Sequence, residues 1–158
     1  MDRSLSTARG LALVLPAALL AGALGSQYVG GLYPCEMCHW QRWPHYAALV
    51  PALLAFVVSN RGLQRMLVTL AALAIAVSGA IGVFHAGVEY HWWDGITACT
   101  APPARGGDLL ADILSRPIIR CDVAQWTLGG ISLAGFNAIF SLGGAIAILA
   151  LAWKRHRA

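Results

Sequence analysis

Long stretches without charge are the feature that most constrains how this chain can fold. No Asp, Glu, Lys or Arg occurs in residues 10–35, 43–60, 66–88 or 123–153, which are runs of 26, 18, 23 and 31 residues. A helix needs about 20 apolar residues to cross a bilayer. Charged residues make up only 11% of the chain, against about 25% in an ordinary soluble domain. The sequence excludes a water-soluble globule and predicts an all-α membrane protein with a four-helix transmembrane bundle.

The four runs define one predicted integral membrane domain over residues 1–158. Pro16 should kink the first span, and neighbouring helices would have to accommodate that kink. Ser78 and Gly82 in the third span have the spacing of small residues that lets helices approach closely. The predicted spans are about 11–29, 43–58, 66–88 and 131–153, and the predicted outer loops are about 30–42 and 89–130.

The charged residues that give the formal net charge of +4 are divided unequally between the two sides of the membrane. Four spans place three segments on one side, and these hold seven of the eleven basic residues against Asp2 alone: Arg3, Arg9, Arg61, Arg65, Lys154, Arg155 and Arg157. The positive-inside rule makes that side cytoplasmic. We therefore expect a multi-pass protein of the bacterial inner membrane with both termini in the cytoplasm. The charge is a topology signal, and no nucleic acid partner is expected.

An alternative for the N-terminus is a cleaved signal peptide over residues 1–25, because Arg3 and Arg9 precede an apolar run. Cleavage would leave three spans and put the two termini of the mature chain on opposite sides. The uncharged run continues to Cys35, beyond a usual signal core, which favours a retained first span.

The second outer loop contains a short segment with helical periodicity. In Asp108–Arg116 the apolar residues share one helical face and the charged residues share the other. Pro117 ends the pattern. We predict a short amphipathic helix here, lying on the outer leaflet of the lipid bilayer or packed on the bundle. Its apolar face comprises Leu109, Leu110, Ile113 and Leu114.

All four cysteines fall on the outer side in the predicted topology, where disulfides form and persist. Cys35 and Cys38 form a C-x-x-C, a spacing that supports fast thiol exchange. Glu36 inside this pair should raise the pKa of the neighbouring thiol. Cys99 and Cys121 lie 22 positions apart and could be a structural staple or a second redox pair. If both cysteine pairs were permanent structural disulfides, the chain would be a structural membrane subunit.

Two other interpretations of the first pair remain open from the residues alone. Cys35, Cys38, His39 and His45 could nominally bind zinc, although nothing downstream resembles the usual second ligand pair, and we expect no metal. The run Cys35-Glu36-Met37-Cys38-His39 also matches the C-x-x-C-H attachment motif of c-type haem. A membrane-anchored c-type cytochrome is therefore the alternative function, but it leaves Cys99 and Cys121 unexplained.

The segment Tyr33-Pro34-Cys35-x-x-Cys38-x-x-x-Arg42, followed by a second cysteine pair between spans three and four, resembles the DsbB family. That family comprises inner-membrane thiol oxidases that reoxidise the periplasmic dithiol oxidase DsbA. The resemblance covers essentially the whole chain. It implies a dithiol:quinone oxidoreductase that exchanges disulfides with a DsbA-like partner and delivers electrons to the membrane quinone pool.

The resemblance also implies roles for the cysteines. Cys35 and Cys38 would form the quinone-coupled disulfide, and Cys99 and Cys121 the disulfide that faces the partner. The partner thiolate would attack Cys99, and Cys121 would help to resolve the mixed disulfide. Cys38 would then pass the electrons to a bound ubiquinone or menaquinone.

Two further residues are candidates for the quinone site. A thiolate beside a quinone needs a fixed positive charge, and Arg42, four residues after Cys38, lies on the same helical face. The alternative is an arginine that extends to lipid headgroups. His85 stands about where the family has a histidine close to its quinone. It could donate to a quinone oxygen or carry a proton, or it could simply join two helices.

Overall fold

Four helices form the framework of the protein. The computed structural model describes residues 3–97 and 119–154. Within them α1 contacts α2 and α4, and α3 contacts the same two helices, so the four close into a bundle. This confirms the predicted all-α architecture. The helices are α1 (Arg3–Tyr28), α2 (Glu36–Val57), α3 (Arg61–Glu89) and α4 (Leu133–Ala152).

Three of these helices, α1, α3 and α4, are long and apolar enough to cross a membrane. The other helix, α2, has 22 residues and carries several polar side chains in its first half, among them His39, Gln41, Arg42 and His45. The second predicted span lies within the rest of α2, and its passage through the bilayer stays a prediction.

Three of the helices begin at a side chain that caps the first turn. Cys35, Asn60 and Ser132 cap α2, α3 and α4, each side chain accepting a bond from a backbone N–H three residues later. α1 is continuous through Pro16, which is buried.

A two-stranded hairpin, absent from the sequence-based expectations, precedes α4. Strands β1 (Thr127–Leu128) and β2 (Ile131–Ser132) pair antiparallel. Gly129 and Gly130 form the turn with φ values of +59° and +81°, a conformation that favours glycine. The Tyr90 hydroxyl, at the end of α3, accepts from the Ser132 N–H and donates to the Gly130 carbonyl. The hairpin is thus tied to α3, and α4 begins only at Leu133.

The bundle interior nearest the chain termini is built mainly from alanine. Small side chains allow close helix approach where lipid provides no hydrophobic driving force. The Ser4 hydroxyl donates to the Leu151 carbonyl, which joins α1 to α4 at this end. The buried residues of this core are Ala8, Ala12, Ala48, Ala52, Ala55, Val68, Ala71, Ala72, Ile75, Ala145, Ile148 and Ala152.

At the opposite end lies a second buried cluster, which we call the cysteine cluster. It comprises Cys35, Met37, Val88, Ile119 and Cys121. Segment 119–126 therefore folds back onto the ends of α2 and α3. The predicted amphipathic helix over 108–116 and Cys99 lie outside the described residues.

Candidate active site

The C-x-x-C pair occupies the start of α2. Cys35 is the N-cap, and its sulfur accepts from the Cys38 backbone N–H at 3.3 Å. The Cys35 and Cys38 sulfurs are 2.8 Å apart. Because an S–S bond is about 2.05 Å long, a small movement is enough to form a disulfide. The helix start thus holds the two sulfurs in a geometry suited to reversible oxidation.

The two cysteines have different surroundings. Cys35 is only 1% exposed and Cys38 is half-buried, and both line a cavity. The hydrogen bond with Cys38 and burial raise the pKa of the Cys35 thiol. The expected effect of Glu36 is not among the causes of this shift. Cys35 is therefore held as a thiol when the pair is reduced, and it needs help to react as a thiolate.

Cys121, from the second predicted pair, lies against the first pair. The Cys35 sulfur, the Cys121 sulfur and a ring nitrogen of His85 all lie within 4.8 Å of one another. All three residues are buried. A cysteine distant in sequence is thus close enough for exchange with Cys35 after a modest movement. The role of Cys99 stays a prediction.

His85, near the end of α3, joins this group. It is 2% exposed, and its Nε2 atom lies 3.5 Å from the Cys35 sulfur and 3.7 Å from a Glu89 carboxylate oxygen. Its Nδ1 atom lies 2.8 Å from the side-chain amide of Gln41. His85 therefore both joins α3 to α2, one of the alternatives considered above, and reaches the reactive sulfur.

Arg42 is buried at 9% exposure instead of extending to headgroups. Its guanidinium donates to the Gln27 side-chain oxygen at 2.6 Å and to the Ala23 carbonyl at 3.0 Å, both on α1. It lies close enough for its charge to act on Cys38. The helices hold a permanent positive charge next to Cys38, the less buried member of the cysteine pair.

A cavity of about 250 Å³ adjoins these groups. Cys38, Arg42 and His85 supply polar atoms to its wall, whereas α1 and α4 supply mainly apolar side chains. The apolar lining includes Ala18, Leu19, Gly22, Phe136 and Phe140. Such a pocket, apolar with a few converging polar groups, is typical of small-molecule sites.

The geometry bears on the alternative ligands. His45 bonds Asn137 on α4 at 3.0 Å, so it does not join the cysteines in a zinc site. Among the described residues, the side chains that lie close enough together to hold a metal ion are those of Cys35, His85 and Cys121. The Gln41 amide N–H points at the Nδ1 atom of His85, which leaves the proton on Nε2, the atom that faces the sulfurs. A protonated nitrogen has no lone pair for a metal.

Sequence reasoning missed the polar residues that support His85. Gln41, Ser78, His45 and Asn137 form buried or half-buried hydrogen bonds between α2, α3 and α4. A signal was available, because polar side chains within membrane helices are costly and often functional. Their partners could not be assigned without the helix packing.

Comparison with known proteins is consistent with this arrangement. The family model described as "Disulfide bond formation protein DsbB" matches residues 6–151. A curated disulfide bond formation protein B of Acidovorax sp. (strain JS42) is 32% identical, over 90% of this chain and 86% of its own. That of Verminephrobacter eiseniae (strain EF01-2) is 34% identical, over 91% and 85%.

A third relative of the same name, from Polaromonas sp. (strain JS666 / ATCC BAA-500), is 32% identical over 93% of this chain and 94% of its own. No solved structure matches the chain. The family match favours a thiol oxidoreductase in the membrane over a cytochrome. The paired sulfurs at the start of α2 and the matches over nearly the whole chain show that it belongs to the DsbB family of disulfide bond formation proteins.

Proposed function

We propose that this protein is a quinone-dependent thiol oxidase of the bacterial inner membrane. It would reoxidise a periplasmic DsbA-like dithiol protein and pass the electrons to ubiquinone or menaquinone. One observation carries the proposal: Cys121 is buried against Cys35, and Cys35 and its partner Cys38 both line a cavity that Arg42 also lines. The first cysteine pair thus adjoins both Cys121 and a pocket that could hold an electron acceptor.

The first half of the reaction is disulfide exchange. A partner thiolate attacks Cys99 of the Cys99–Cys121 disulfide, and Cys121 leaves as a thiolate. Cys121 helps to resolve the mixed disulfide by not returning to Cys99, so the second partner thiol releases the oxidised partner and Cys99 becomes a thiolate. The Cys121 thiolate attacks Cys35 of the Cys35–Cys38 disulfide, and Cys38 leaves as a thiolate. The closeness of Cys35 and Cys121 supports this order.

The second half restores both disulfides. The Cys99 thiolate attacks Cys121 and expels Cys35 as a thiolate. Cys35 and Cys38 would then close the first disulfide by giving up two electrons, for which a quinone held beside Cys38, Arg42 and His85 would be the acceptor. A bound quinone supplies a sink for two electrons and two protons. The net reaction is dithiol plus quinone giving disulfide plus quinol.

The cavity fits a quinone by its chemistry. Arg42 provides hydrogen-bond donors at the wall that holds Cys38, His85 lies at the same wall, and the sides from α1 and α4 are mainly apolar. Arg42 would stabilise the Cys38 thiolate and negative charge that develops on an acceptor oxygen. His85 would hold or carry a proton at the same wall.

The proposed orientation follows from charge. Seven basic residues on one side of four spans make that side cytoplasmic, so the cysteines would face the periplasm and the DsbA-like partner. The bilayer would enclose one domain with the spans and loops predicted from the sequence.

Purified protein should oxidise a reduced DsbA-like protein only when quinone is supplied. Cys38→Ser should stop the reaction, because it removes the sulfur proposed to pass electrons to the quinone. Ser6→Ala, at the other end of the bundle, is the matched control and should retain activity. Quinone-independent oxidation, or full activity of Cys38→Ser, would overturn the mechanism. A covalent haem signal in a pyridine haemochrome spectrum would favour the cytochrome instead.

A further inference from the structure

The His85 ring belongs to a buried polar network that joins three helices. Gln41 on α2 and Asn137 on α4 are its central amides, and Ser78 on α3 lies beside them. The Asn137 amide nitrogen lies 2.8 Å from the Gln41 side-chain oxygen, and the Gln41 amide nitrogen lies 2.8 Å from His85 Nδ1. We call this chain from Asn137 through Gln41 to His85 the amide relay.

Two backbone carbonyls fix the direction of every hydrogen bond in the amide relay. A backbone carbonyl only accepts. The Ser78 carbonyl, 3.2 Å from Asn137, requires an N–H donor there, so the amide group of Asn137 also donates to the Gln41 oxygen. The Met37 carbonyl, 3.2 Å from the Gln41 amide nitrogen, fixes that end of Gln41 as a donor. Reversing either amide would set two acceptors against each other.

These bond directions determine which nitrogen of the His85 ring carries the proton. Because Gln41 donates to Nδ1, that nitrogen must carry its lone pair, and the proton of the neutral ring lies on Nε2. Nε2 faces the Cys35 sulfur at 3.5 Å and a Glu89 oxygen at 3.7 Å. The Cys121 backbone accepts a hydrogen bond from the ring, so it shares the ring N–H with Cys35 until that sulfur carries negative charge. The amide relay thus directs an N–H at the cysteine cluster.

We infer that Gln41 and Asn137 are positioning residues, which hold His85 as the Nε2–H tautomer so that it donates a hydrogen bond to Cys35 whenever that sulfur carries negative charge. The inference rests on the proposed function and deepens it. Cys35 is a thiolate when Cys121 releases it and when it attacks Cys38. A donor on this sulfur stabilises the leaving group in the first step and the available nucleophile in the second.

Surroundings explain why such a donor matters. The Cys38 hydrogen bond and burial disfavour ionisation of Cys35. The opposing charges of Glu89 and Arg42 both act on Cys38. The other groups facing the His85 ring are Glu89 on α3 and Cys121 in segment 119–126. Within the described residues, His85 is the side chain that brings a ring N–H to Cys35.

The tautomer can be measured directly. In the full-length protein with ¹⁵N-labelled histidine, nitrogen chemical shifts distinguish protonated from unprotonated ring nitrogens, and loss of a signal in His85→Gln assigns the residue. The wild type should show Nε2 protonated. Gln41→Glu, which is nearly isosteric, places an acceptor at Nδ1 and should move the proton there. Asn137→Asp should have the same effect by forcing Gln41 to reverse.

The effect on the sulfur is read separately, in a variant that keeps Cys35 as its only cysteine. Ultraviolet absorbance of the thiolate during a pH titration gives its ionisation midpoint. His85→Leu should reduce the thiolate population at a given pH about tenfold, as expected for loss of a hydrogen bond to a charged group. His85→Gln, which retains an N–H donor, should restore much of it. Gln41→Met should shift the midpoint in the same direction as His85→Leu.

Gln64→Met is the matched control for Gln41→Met. Gln64 donates to the Val58 carbonyl at the other end of the bundle, and its replacement should leave the Cys35 midpoint and the His85 tautomer unchanged. The inference is overturned by a wild-type His85 protonated on Nδ1, or by a Cys35 midpoint insensitive to His85→Leu. Neither readout requires quinone, so failure of the proposed function would appear independently as a wild type without quinone-dependent oxidation.

Discussion

At the scale of single residues, the site gives different surroundings to two cysteines that are three positions apart in sequence. Cys35 is buried with a raised pKa, while Cys38 is half-buried and the hydrogen bond with Cys35 lowers its pKa. After brief labelling of the reduced protein near neutral pH, mass spectrometry should find Cys38 alkylated well ahead of Cys35. The Cys35 share should rise with pH, because its thiolate forms only at higher pH. Equal labelling near neutral pH would contradict this assignment.

Arg42 allows a second test at this scale. Arg42→Met keeps the apolar stem but removes the charge and both hydrogen bonds to α1. We expect the apparent KM for quinone to rise about tenfold, since a hydrogen bond involving a charged group contributes about 1.5–3 kcal/mol. Steady-state oxidation at several quinone concentrations measures it. Arg61→Met, at the other end of the bundle, is the control, and an unchanged KM in Arg42→Met would remove Arg42 from the quinone site.

At the scale of helices, the packing of α3 on α4 depends on small residues. A Cβ atom at Gly82 would lie 3.0 Å from the Ala134 carbonyl oxygen and 3.0 Å from the Ala138 nitrogen. Backbone atoms cannot rotate away, which confirms the predicted close approach at this glycine. Gly82→Leu should therefore cost about 1–3 kcal/mol of stability, measured by thermal unfolding in detergent.

Gly143 provides the matched comparison for Gly82. A Cβ atom at Gly143, on α4, meets nothing within 4 Å among the described residues. Gly143→Leu should leave stability unchanged or raise it, because leucine favours helix more than glycine does. Equal destabilisation by the two substitutions would show that the α3–α4 contact is not the cause.

The sequence predicted the helices better than their ends. The uncharged runs in α1, α3 and α4 are long enough that few structures other than a membrane helix fit them. α2 begins at Glu36, before the apolar run, because the Cys35 cap starts the helix among polar residues. The hairpin at Thr127–Ser132 was missed because its strands have two residues each and lie within one uncharged run.

At the scale of the whole molecule, the chemistry of the site could be predicted from the sequence, but the contacts between its residues could not. The spacing of Cys35 and Cys38 and the position of Arg42 are local, so sequence could place them on one helix start. The approach of Cys121 to Cys35 and the hydrogen bond from Gln41 to His85 join segments more than 40 positions apart. Such contacts depend on how four helices pack, and local spacing carries no information about them.

Topology is the other prediction at this scale. If four spans place both termini inside, a green fluorescent protein fused after residue 158 should fluoresce, because it folds in the cytoplasm. Alkaline phosphatase, which needs periplasmic disulfides, should be active when fused after residue 95 and inactive when fused after residue 60. An active phosphatase fused after residue 60 would reverse the proposed orientation or change the number of spans.

The central claim is that electrons pass from the second cysteine pair through the first pair to quinone. Acid quenching followed by thiol trapping of all four cysteines tests it most directly. With excess reduced DsbA-like partner and no quinone, Cys35, Cys38, Cys99 and Cys121 should all become reduced. Added quinone should return both pairs to disulfides. If Cys35 and Cys38 stay oxidised without quinone while the partner is oxidised continuously, the account is contradicted.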